Sequence, residues 1–469
     1  MITVGGPLKN LLYLFTAVFL SNSWSALPDL SKEFLAKNSG VFQEKVKTEI
    51  SNIEKDIILA QSTWGLSYDY FNNDNNLENS STTFTVTGLK TTGHSLGLSK
   101  KFGWGGELSL TNNAYSYEST SKSYQFNQKI AYEQNLGKDL FGRQFRSTVN
   151  QYQHLANQQK FSSKNSIQGK LKTFALVYTQ AQLQKSLYDL QLEAQKRAER
   201  RLSLIKKKVR DGLREKVDLL QSQTDLLNQK EQVQSAAISF NNQLESLVSY
   251  LERPVTDAEV KTLALESWEK LPEGDLENNL SKKSLSAFYK ANQNAYESAE
   301  LDYLPAVTLS GSVKNNDYNA TQGETFSEGK LGGDKKEVTI GLNLTWALGL
   351  EKEKLEKAKA RLNLESSKKL LDGTDNTLIK TEDIFKKKLE QLNKNIEFSK
   401  SRLVLAENTL KEYTKLYNRG RSDLDQVIRA EESLINTQVS HLRYIANRRE
   451  VLFDLSSLYG TLEDYITGK

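Results

Sequence analysis

Long stretches without proline limit the folds that this chain can adopt. The five prolines are Pro7, Pro28, Pro254, Pro272 and Pro305, so none lies between positions 29 and 253 or after 305. Because proline interrupts helix interiors, these stretches permit very long helices. Residues 143–210 and 351–419 each contain a single glycine and no proline. At 1.5 Å per residue, a helix of about 70 residues would reach ~100 Å.

Apolar residues in these stretches recur at helical spacing. From Leu183 to Val209 they are spaced three and four residues apart, which is the stripe of one helix face. Shorter helices are predicted at 29–60, 213–251, 282–303 and 424–458. Polar residues interrupt the stripes, so we expect these helices to pack side by side as coiled coils do.

Two segments have a different composition and alternate with a period of two. Residues 61–133 and 305–346 are rich in Ser, Thr, Asn, Gly and Tyr. Leu342 and Leu344 fall on one face of a predicted strand and Asn343 on the other, the apolar-out, polar-in pattern of a transmembrane barrel. A soluble β-sandwich is the alternative. Residues 82–115 hold a candidate extra hairpin, 95–101 with 106–114, so the strand count stays open.

The chain uses one structural unit twice. Each half runs short helix, strands, long helix, glycine, short helix, with the glycines at Gly212 and Gly420. We expect each long helix to turn back at its glycine and pair antiparallel with short helices. About four strands per chain cannot close a barrel, because open strand edges are not tolerated in lipid. The chain must therefore oligomerise; three copies would give twelve strands, although the strand count alone does not single out three.

The N-terminus reads as a cleaved secretory signal, and the composition excludes several classes of function. Lys9 precedes a ten-residue apolar run, Leu11 to Leu20, and Ser23 and Ser25 suit a cleavage site. The absence of cysteine and the three scattered histidines argue against metal and cofactor sites. The net charge of +5 is spread along the chain, so nucleic acid is not an expected partner. No local catalytic signature is present, and we predict no enzyme activity.

Taken together, these features resemble the TolC family of outer-membrane efflux proteins over nearly the whole mature chain. The resemblance is carried by Leu304 to Ser310, by Tyr132 to Arg143, and by the two glycine turns with the residues that follow them. Asn135 and Ala347 stand where the family usually has proline, and the second glycine turn reads as one residue shorter. The implied fold is an internally duplicated α+β membrane protein. In it a trimeric β-barrel, with about four strands per protomer, continues as a long antiparallel α-helical barrel.

The resemblance also implies a division of the chain. The segments are a signal peptide (1–25), an N-terminal helix (26–60), barrel strands with the candidate hairpin (61–135), a first long helical hairpin (136–252), an equatorial linker region (253–281), a short helix (282–304), barrel strands of the second half (305–348), and a second long helical hairpin with the C-terminus (349–469).

By position in the family, the functional residues would be those of a conduit with a periplasmic mouth. The implied adaptor-docking residues are Gly212, Leu213, Gly420, Arg421 and Ser422. The implied gate consists of Asp218, Tyr417 and Asp425, with a Tyr417 hydroxyl bonded to a carboxylate and Asp425 forming an acidic ring. The family's second ring acid is Ile428 here, so that ring would be single. Ordinary helix ends are the alternative for both glycines.

The implied function is a passive outer-membrane exit duct of a tripartite efflux or type I secretion system. Its implied partners are two further copies of the chain, a periplasmic adaptor, an inner-membrane transporter and outer-membrane lipid. The mature protein would lie in the outer membrane with a periplasmic helical extension. The main alternative is a secreted coiled-coil adhesin or structural protein with a soluble β-domain.

Overall fold

The computed structural model describes residues 26–75, 79–80, 85–86, 89–118, 121–264, 270–346, 349 and 351–468. The predicted signal peptide lies outside this part of the chain. The chain forms two compact units. The helical unit comprises the residues up to Lys47, Phe161–Lys283 and Gly373–Lys469. The sheet unit comprises Thr48–Lys160 and Ser284–Asp372.

Helices make up most of the described chain. They are α1 (Ala26–Lys37), α2 (Ser39–Ala60), α3 (Arg143–Arg210), α4 (Lys216–Leu251), α5 (Leu280–Leu301), α6 (Gln322–Glu328), α7 (Glu351–Asn418), α8 (Leu424–Leu458) and α9 (Leu462–Thr467). The two long helices, α3 and α7, have 68 residues each, as the proline-free stretches predicted. Short 3₁₀ turns occur at Asp257–Glu259 and Leu276–Asn278, within the predicted linker region.

The N-terminal helix departs from its prediction because it is divided in two at Asn38. The Asn38 side-chain oxygen accepts a 3.2 Å hydrogen bond from the backbone N–H of Val41. Asparagine in this position caps the first turn of a new helix. The chain therefore stops one helix and starts another where the sequence periodicity indicated a single helix over 29–60.

The core of the helical unit lies where α1, α3, α4, α8 and α9 meet. Phe174 and Tyr178 of α3 are fully buried, and Phe34 of α1 is 1% exposed. The Phe34 and Phe174 rings stack with centroids 4.8 Å apart. Burying such large aromatic side chains dominates core energetics, so this cluster fixes the packing of the N-terminal and C-terminal segments against the long helix.

The sheet unit contains one six-stranded antiparallel sheet, and its strands follow each other in chain order. They are β1 (Trp64–Asn75), β2 (Leu89–Lys101), β3 (Gly106–Glu118), β4 (Lys122–Asn135), β5 (Ala306–Asn319) and β6 (Lys336–Thr345). Two short strands, Asn79–Ser80 and Thr85–Val86, pair separately. The expectation of about four strands was wrong, because the candidate extra hairpin is present as β2 and β3 and is longer than predicted.

Candidate functional site

The two glycine turns have the same backbone geometry. Gly212 and Gly420 have positive φ angles of 70° and 78°, which glycine adopts without steric cost. After each, the next backbone N–H bonds to a carbonyl five residues back, Leu213 to Lys208 and Arg421 to Leu416. These bonds define the Schellman ending of a helix. Residues 211–215 and 419–423 connect the helices, so the two turns have the same length. The expectation from the sequence that the second turn is one residue shorter was wrong.

The predicted docking residues lie on these turns and are accessible, with Ser422 half-buried. Leu213 and Arg421 occupy equivalent places, each directly after its glycine. The Leu213 side chain is 71% exposed, and Val217 and Leu220 on α4 extend this apolar surface at 65% and 53% exposure. The first turn therefore presents an apolar stripe at helical spacing, whereas the second turn presents a cation.

The predicted gate residues Tyr417 and Asp218 are joined by a residue that the sequence did not single out, Arg214. The Arg214 guanidinium lies over the Tyr417 ring, 4.2 Å from its centroid. Its Nη2 atom donates a 2.7 Å hydrogen bond to the Tyr417 carbonyl oxygen. A further atom of the same group, Nη1, lies 3.9 Å from the Asp218 carboxylate. Arg214 thus connects the first turn to the second long helix.

Within the described residues of one protomer, the Tyr417 hydroxyl makes no hydrogen bond to a carboxylate. The Tyr417 side chain is 3% exposed, and its hydroxyl has no hydrogen-bond partner among the described residues. Burial, together with the negative charge of Asp218, raises the pKa of the Tyr417 phenol, while Arg214 opposes this shift. Within this protomer, Arg214 lies beside Asp218 and contacts the ring and the carbonyl of Tyr417. A bond from the Tyr417 hydroxyl to a carboxylate between hairpins of an assembled channel stays a prediction.

Asp425 is half-exposed but carries a salt bridge of its own. Its carboxylate lies 2.7 Å from Nε of Arg429, one helical turn along α8. Both side chains are open to solvent, 49% and 76% exposed, so the pair is weak. The charge of Asp425 is nevertheless partly balanced within its own chain, which bears on the predicted acidic ring.

A buried cluster of two arginines and two carboxylates connects three helices of the helical unit. Arg201 of α3 bonds to both Asp225 of α4 and Glu431 of α8, and Glu431 also accepts a 2.6 Å hydrogen bond from Nε of Arg197. The Asp225 and Glu431 side chains are only 8% and 5% exposed. Burial disfavours the Arg201 charge, but both carboxylates outweigh this effect and raise its pKa.

This charge cluster and the turn region share one cavity. Arg197, Arg201, Glu431 and Tyr417 all line a space of ≈ 280 Å³, together with apolar side chains of α3, α7 and α8. Tyr417 also packs in a small core with Ile205 and residues of α8. The charge cluster and Tyr417 are therefore neighbours around one cavity.

Two neighbouring rows of the sheet place apolar side chains on one face and small side chains on the other, across all six strands. By strand register, one row crossing all six strands, here called the apolar row, consists of Leu66, Leu98, Leu110, Ile130, Val313 and Val338. The adjacent row on the other face, the small row, consists of Gly65, Ser99, Ser109, Ala131, Ser312 and Thr339. In these two rows, the alternation predicted for β6 extends to every strand. The next row on the apolar side is mostly polar and consists of Tyr68, Leu96, Asn112, Gln128, Asn315 and Lys336.

Several large side chains on the face of the apolar row are open to solvent. Leu66, Val338 and Ile340 are 74%, 68% and 79% exposed, and Ile130 is 42% exposed. On the polar face, Ala131 and Asn127 are only 7% and 5% exposed. The usual one-sided sheet of a soluble protein buries its apolar face and solvates its polar face. At these positions the arrangement is reversed, whereas Asn315 and Asp317 of β5, on the same face as the apolar row, are 0% and 1% exposed.

Helices that could cross a bilayer were not found: none of those described has a long enough apolar segment. Within the same residues, no three side chains of the His, Cys, Asp and Glu types are grouped so that they could hold a metal ion.

Comparison with known proteins identifies the fold. No family model and no curated protein sequence matches this chain. Solved structures do match. The open-state MtrE outer membrane channel of Neisseria gonorrhoeae matches at 17% identity and a TM-score of 0.67, over 93% of this chain and 89% of that one. The Vibrio cholerae outer membrane protein VceC matches at 13% identity and a TM-score of 0.66, over 93% and 96% of the two chains.

A third structure agrees with these two. The Campylobacter jejuni outer membrane channel CmeC matches at 12% identity and a TM-score of 0.67, over 93% of this chain and 86% of that one. The chain therefore has the fold of outer membrane channel proteins, and the resemblance to the TolC type is confirmed at the level of the fold.

Proposed function

We propose that this protein is an outer-membrane channel that acts as a passive exit duct. The observation that carries this proposal is the apolar row, in which Leu66 and Val338 are 74% and 68% exposed, opposite a row of Gly, Ser, Ala and Thr on the other face. In water, such an apolar surface would promote association. In a bilayer the same surface contacts acyl chains, while the polar face lines a water-filled passage.

Closure of this sheet requires further copies of the chain. Its edge strands, β1 and β6, have no partner beyond the six-stranded sheet of the described protomer, and an open edge is not tolerated in hydrocarbon. Cyclic association joins β6 of one copy to β1 of the next and removes both edges. We infer a homotrimer from the fold, with outer-membrane lipid around the barrel and the helices on the periplasmic side.

The two turns are proposed as the periplasmic mouth and the docking surface for an adaptor. An adaptor would connect the duct to an energised inner-membrane transporter, because the chain itself shows no motif for nucleotide binding. The exposed stripe of Leu213, Val217 and Leu220 can pack into an apolar groove of an adaptor. Helices commonly dock through such apolar faces. Gly212, Gly420, Arg421 and Ser422 shape or flank this surface.

The gate is proposed to be held by Arg214 rather than by the Tyr417 hydroxyl. Arg214 contacts both Tyr417 and Asp218 and so connects the two helical hairpins. Asp425 remains the candidate for an acidic ring, with its charge moderated by Arg429. Rings of carboxylates attract cations in channels.

Membrane fractionation tests the proposed channel directly. The protein should fractionate with outer membranes, run as a heat-modifiable oligomer and conduct ions in planar bilayers. Release by osmotic shock into the soluble fraction, with no conductance from the purified protein, would instead support the secreted adhesin or structural protein.

Adaptor docking can be tested by site-specific crosslinking, because the chain contains no cysteine. A crosslinker attached to Leu213→Cys or Arg421→Cys should capture a periplasmic adaptor identified by mass spectrometry. Phe398→Cys is the matched control: Phe398 is 68% exposed and lies on α7 about 33 Å along the helix from Gly420. Equal capture from all three positions would argue against docking at the turns.

A further inference from the structure

We propose that the β2–β3 hairpin widens the outlet of this channel, so that three copies close a barrel of eighteen strands instead of twelve. The proposal rests on the proposed function and extends it to the size of the cargo. An eighteen-stranded outlet would pass solutes, such as folded segments of polypeptide, that are bulkier than a twelve-stranded outlet of the same tilt admits.

The hairpin is part of the wall over its full length. β2 pairs with β1 from Trp64 opposite Lys100 to Asn75 opposite Leu89. β3 continues this pairing with β2 on one side and with β4 on the other. β1 and β4 therefore never meet, and the hairpin adds two strands to the circumference rather than folding over an existing wall.

Both faces of the hairpin suit a barrel wall in lipid. Leu98 and Leu110 continue the apolar row between Leu66 and Ile130. On the same face, the Lys100 ammonium lies 5.7 Å from the centroid of the Trp64 ring. Tryptophan and lysine together are typical of the membrane–water interface, so the edge of the apolar band also crosses the hairpin.

Beside the apolar row, the residues of the hairpin that face the lumen are small, so they do not fill the space that the two extra strands add. On the lumen face, β2 carries Gly93, Ser95, Gly97 and Ser99 in succession. The large Phe71 side chain of β1 lies directly over Gly93, where a Cβ atom would be 2.2 Å from the ring. The absence of a side chain at position 93 makes room for this ring, whose centroid lies 5.9 Å from that of Tyr115 on β3.

Barrel geometry gives the size of the effect. Strands lie about 4.8 Å apart, and strands tilted by about 35° take up correspondingly more of the circumference. A closed barrel of eighteen strands is then about 35 Å across between backbones, compared with about 23 Å for twelve. Natural barrels of sixteen to eighteen strands enclose an open aqueous channel.

The two edges of the sheet are compatible with closure by identical copies. Six antiparallel strands leave β1 and β6 running in opposite directions, so β6 of one copy can pair antiparallel with β1 of the next. Each edge carries a run of exposed apolar side chains, with Leu66 and Tyr68 on β1 and Ile340 and Leu342 on β6. The apolar band therefore continues across the junction between copies.

Deleting the hairpin tests the proposal. A variant lacking residues 77–118 joins β1 to β4, which are antiparallel and keep Leu66 and Ile130 on the same face. The size limit for neutral polymers entering from the outlet side should fall to about two thirds of the wild-type diameter, with the trimer retained. An unchanged limit would overturn the proposal, whereas a wild-type protein that forms no channel would instead contradict the proposed function.

Cysteine labelling keeps the proposal testable if the deletion variant fails to fold. In outer membranes, Ser99→Cys on β2 should react with a water-soluble maleimide, whereas Leu98→Cys should be protected by lipid. Ser312→Cys and Val313→Cys on β5 are the matched control pair and should show the same contrast. Equal labelling at positions 98 and 99, with contrast retained in the control pair, would show that the hairpin lies outside the wall.

Discussion

Arg214 and Tyr417 form a contact between residues 203 positions apart, in which the guanidinium covers the ring at 4.2 Å and donates a hydrogen bond to the carbonyl. The contact joins the first turn to the end of α7. It uses the tyrosine ring and main chain and leaves the hydroxyl without a partner. We therefore expect closure of the proposed mouth to depend on Arg214.

Replacing Arg214 with alanine should loosen the mouth. The change removes a charged hydrogen bond, worth about 1.5–3 kcal/mol, and a cation–π contact worth about 0.5–2 kcal/mol. We expect higher single-channel conductance in bilayers and greater sensitivity of cells to large antibiotics. Tyr417→Phe is the control and should behave as wild type. Increased conductance in Tyr417→Phe but not in Arg214→Ala would show that the Tyr417 hydroxyl, and not Arg214, holds the mouth closed.

The buried charge cluster should be sensitive to loss of a single carboxylate. Glu431→Gln leaves Arg197 and Arg201 with Asp225 as the only anion of the cluster. Breaking a buried ion pair costs about 3–5 kcal/mol, so the detergent-purified protein should show a clearly lower unfolding temperature. Glu432→Gln, at the exposed neighbouring position, should change it little. Equal unfolding temperatures of the two variants would show that the charge cluster contributes nothing to stability.

The register of β6 can be tested by charge insertion on its two faces. Leu342→Arg should cost about 2–4 kcal/mol if the side chain lies near the middle of the membrane, and assembled oligomer should decrease on unheated gels. Asn343→Arg should leave assembly intact and change conductance, because it faces the lumen. Blocked assembly in Asn343→Arg alone would reverse the assignment of the two faces.

Cation block should report on the balance between Asp425 and Arg429. Asp425→Ala should weaken block by multivalent cations, since the proposed acidic ring loses its carboxylates. Arg429→Gln should strengthen the block, because the 2.7 Å salt bridge no longer moderates the charge. Measurements of conductance against cation concentration distinguish these outcomes. Identical block in wild type and both variants would make Asp425 an ordinary surface residue.

Sequence patterns predicted the elements of this fold where the periodicity is strong. Helix α8 spans Leu424–Leu458, as predicted, because apolar residues recur along its whole length. The strand count was underestimated because the alternation in β3 is interrupted, with Asn112 next to Asn113. There, tertiary pairing with β2 and β4 defines the strand more than its own pattern does.

The candidate site was less predictable because its key contacts are distant in sequence. Arg197 and Glu431 are 234 positions apart, and neither stands out among the many charges on these helices. The glycine turns were found because a helix end has a local signature. The partner of Asp218 was missed because the i, i+4 spacing from Arg214 also fits an ordinary solvated pair.

The strand order of the sheet has a consequence for how such proteins diverge. Neighbouring strands run in opposite directions. The chain therefore leaves the sheet at the end where the next helix begins only if strands are gained or lost in pairs. A hairpin inserted between β1 and β4 meets this condition and leaves the connections to α2 and α3 unchanged. The number of strands in the wall can therefore change by whole hairpins while the direction of the connections to the helices is kept.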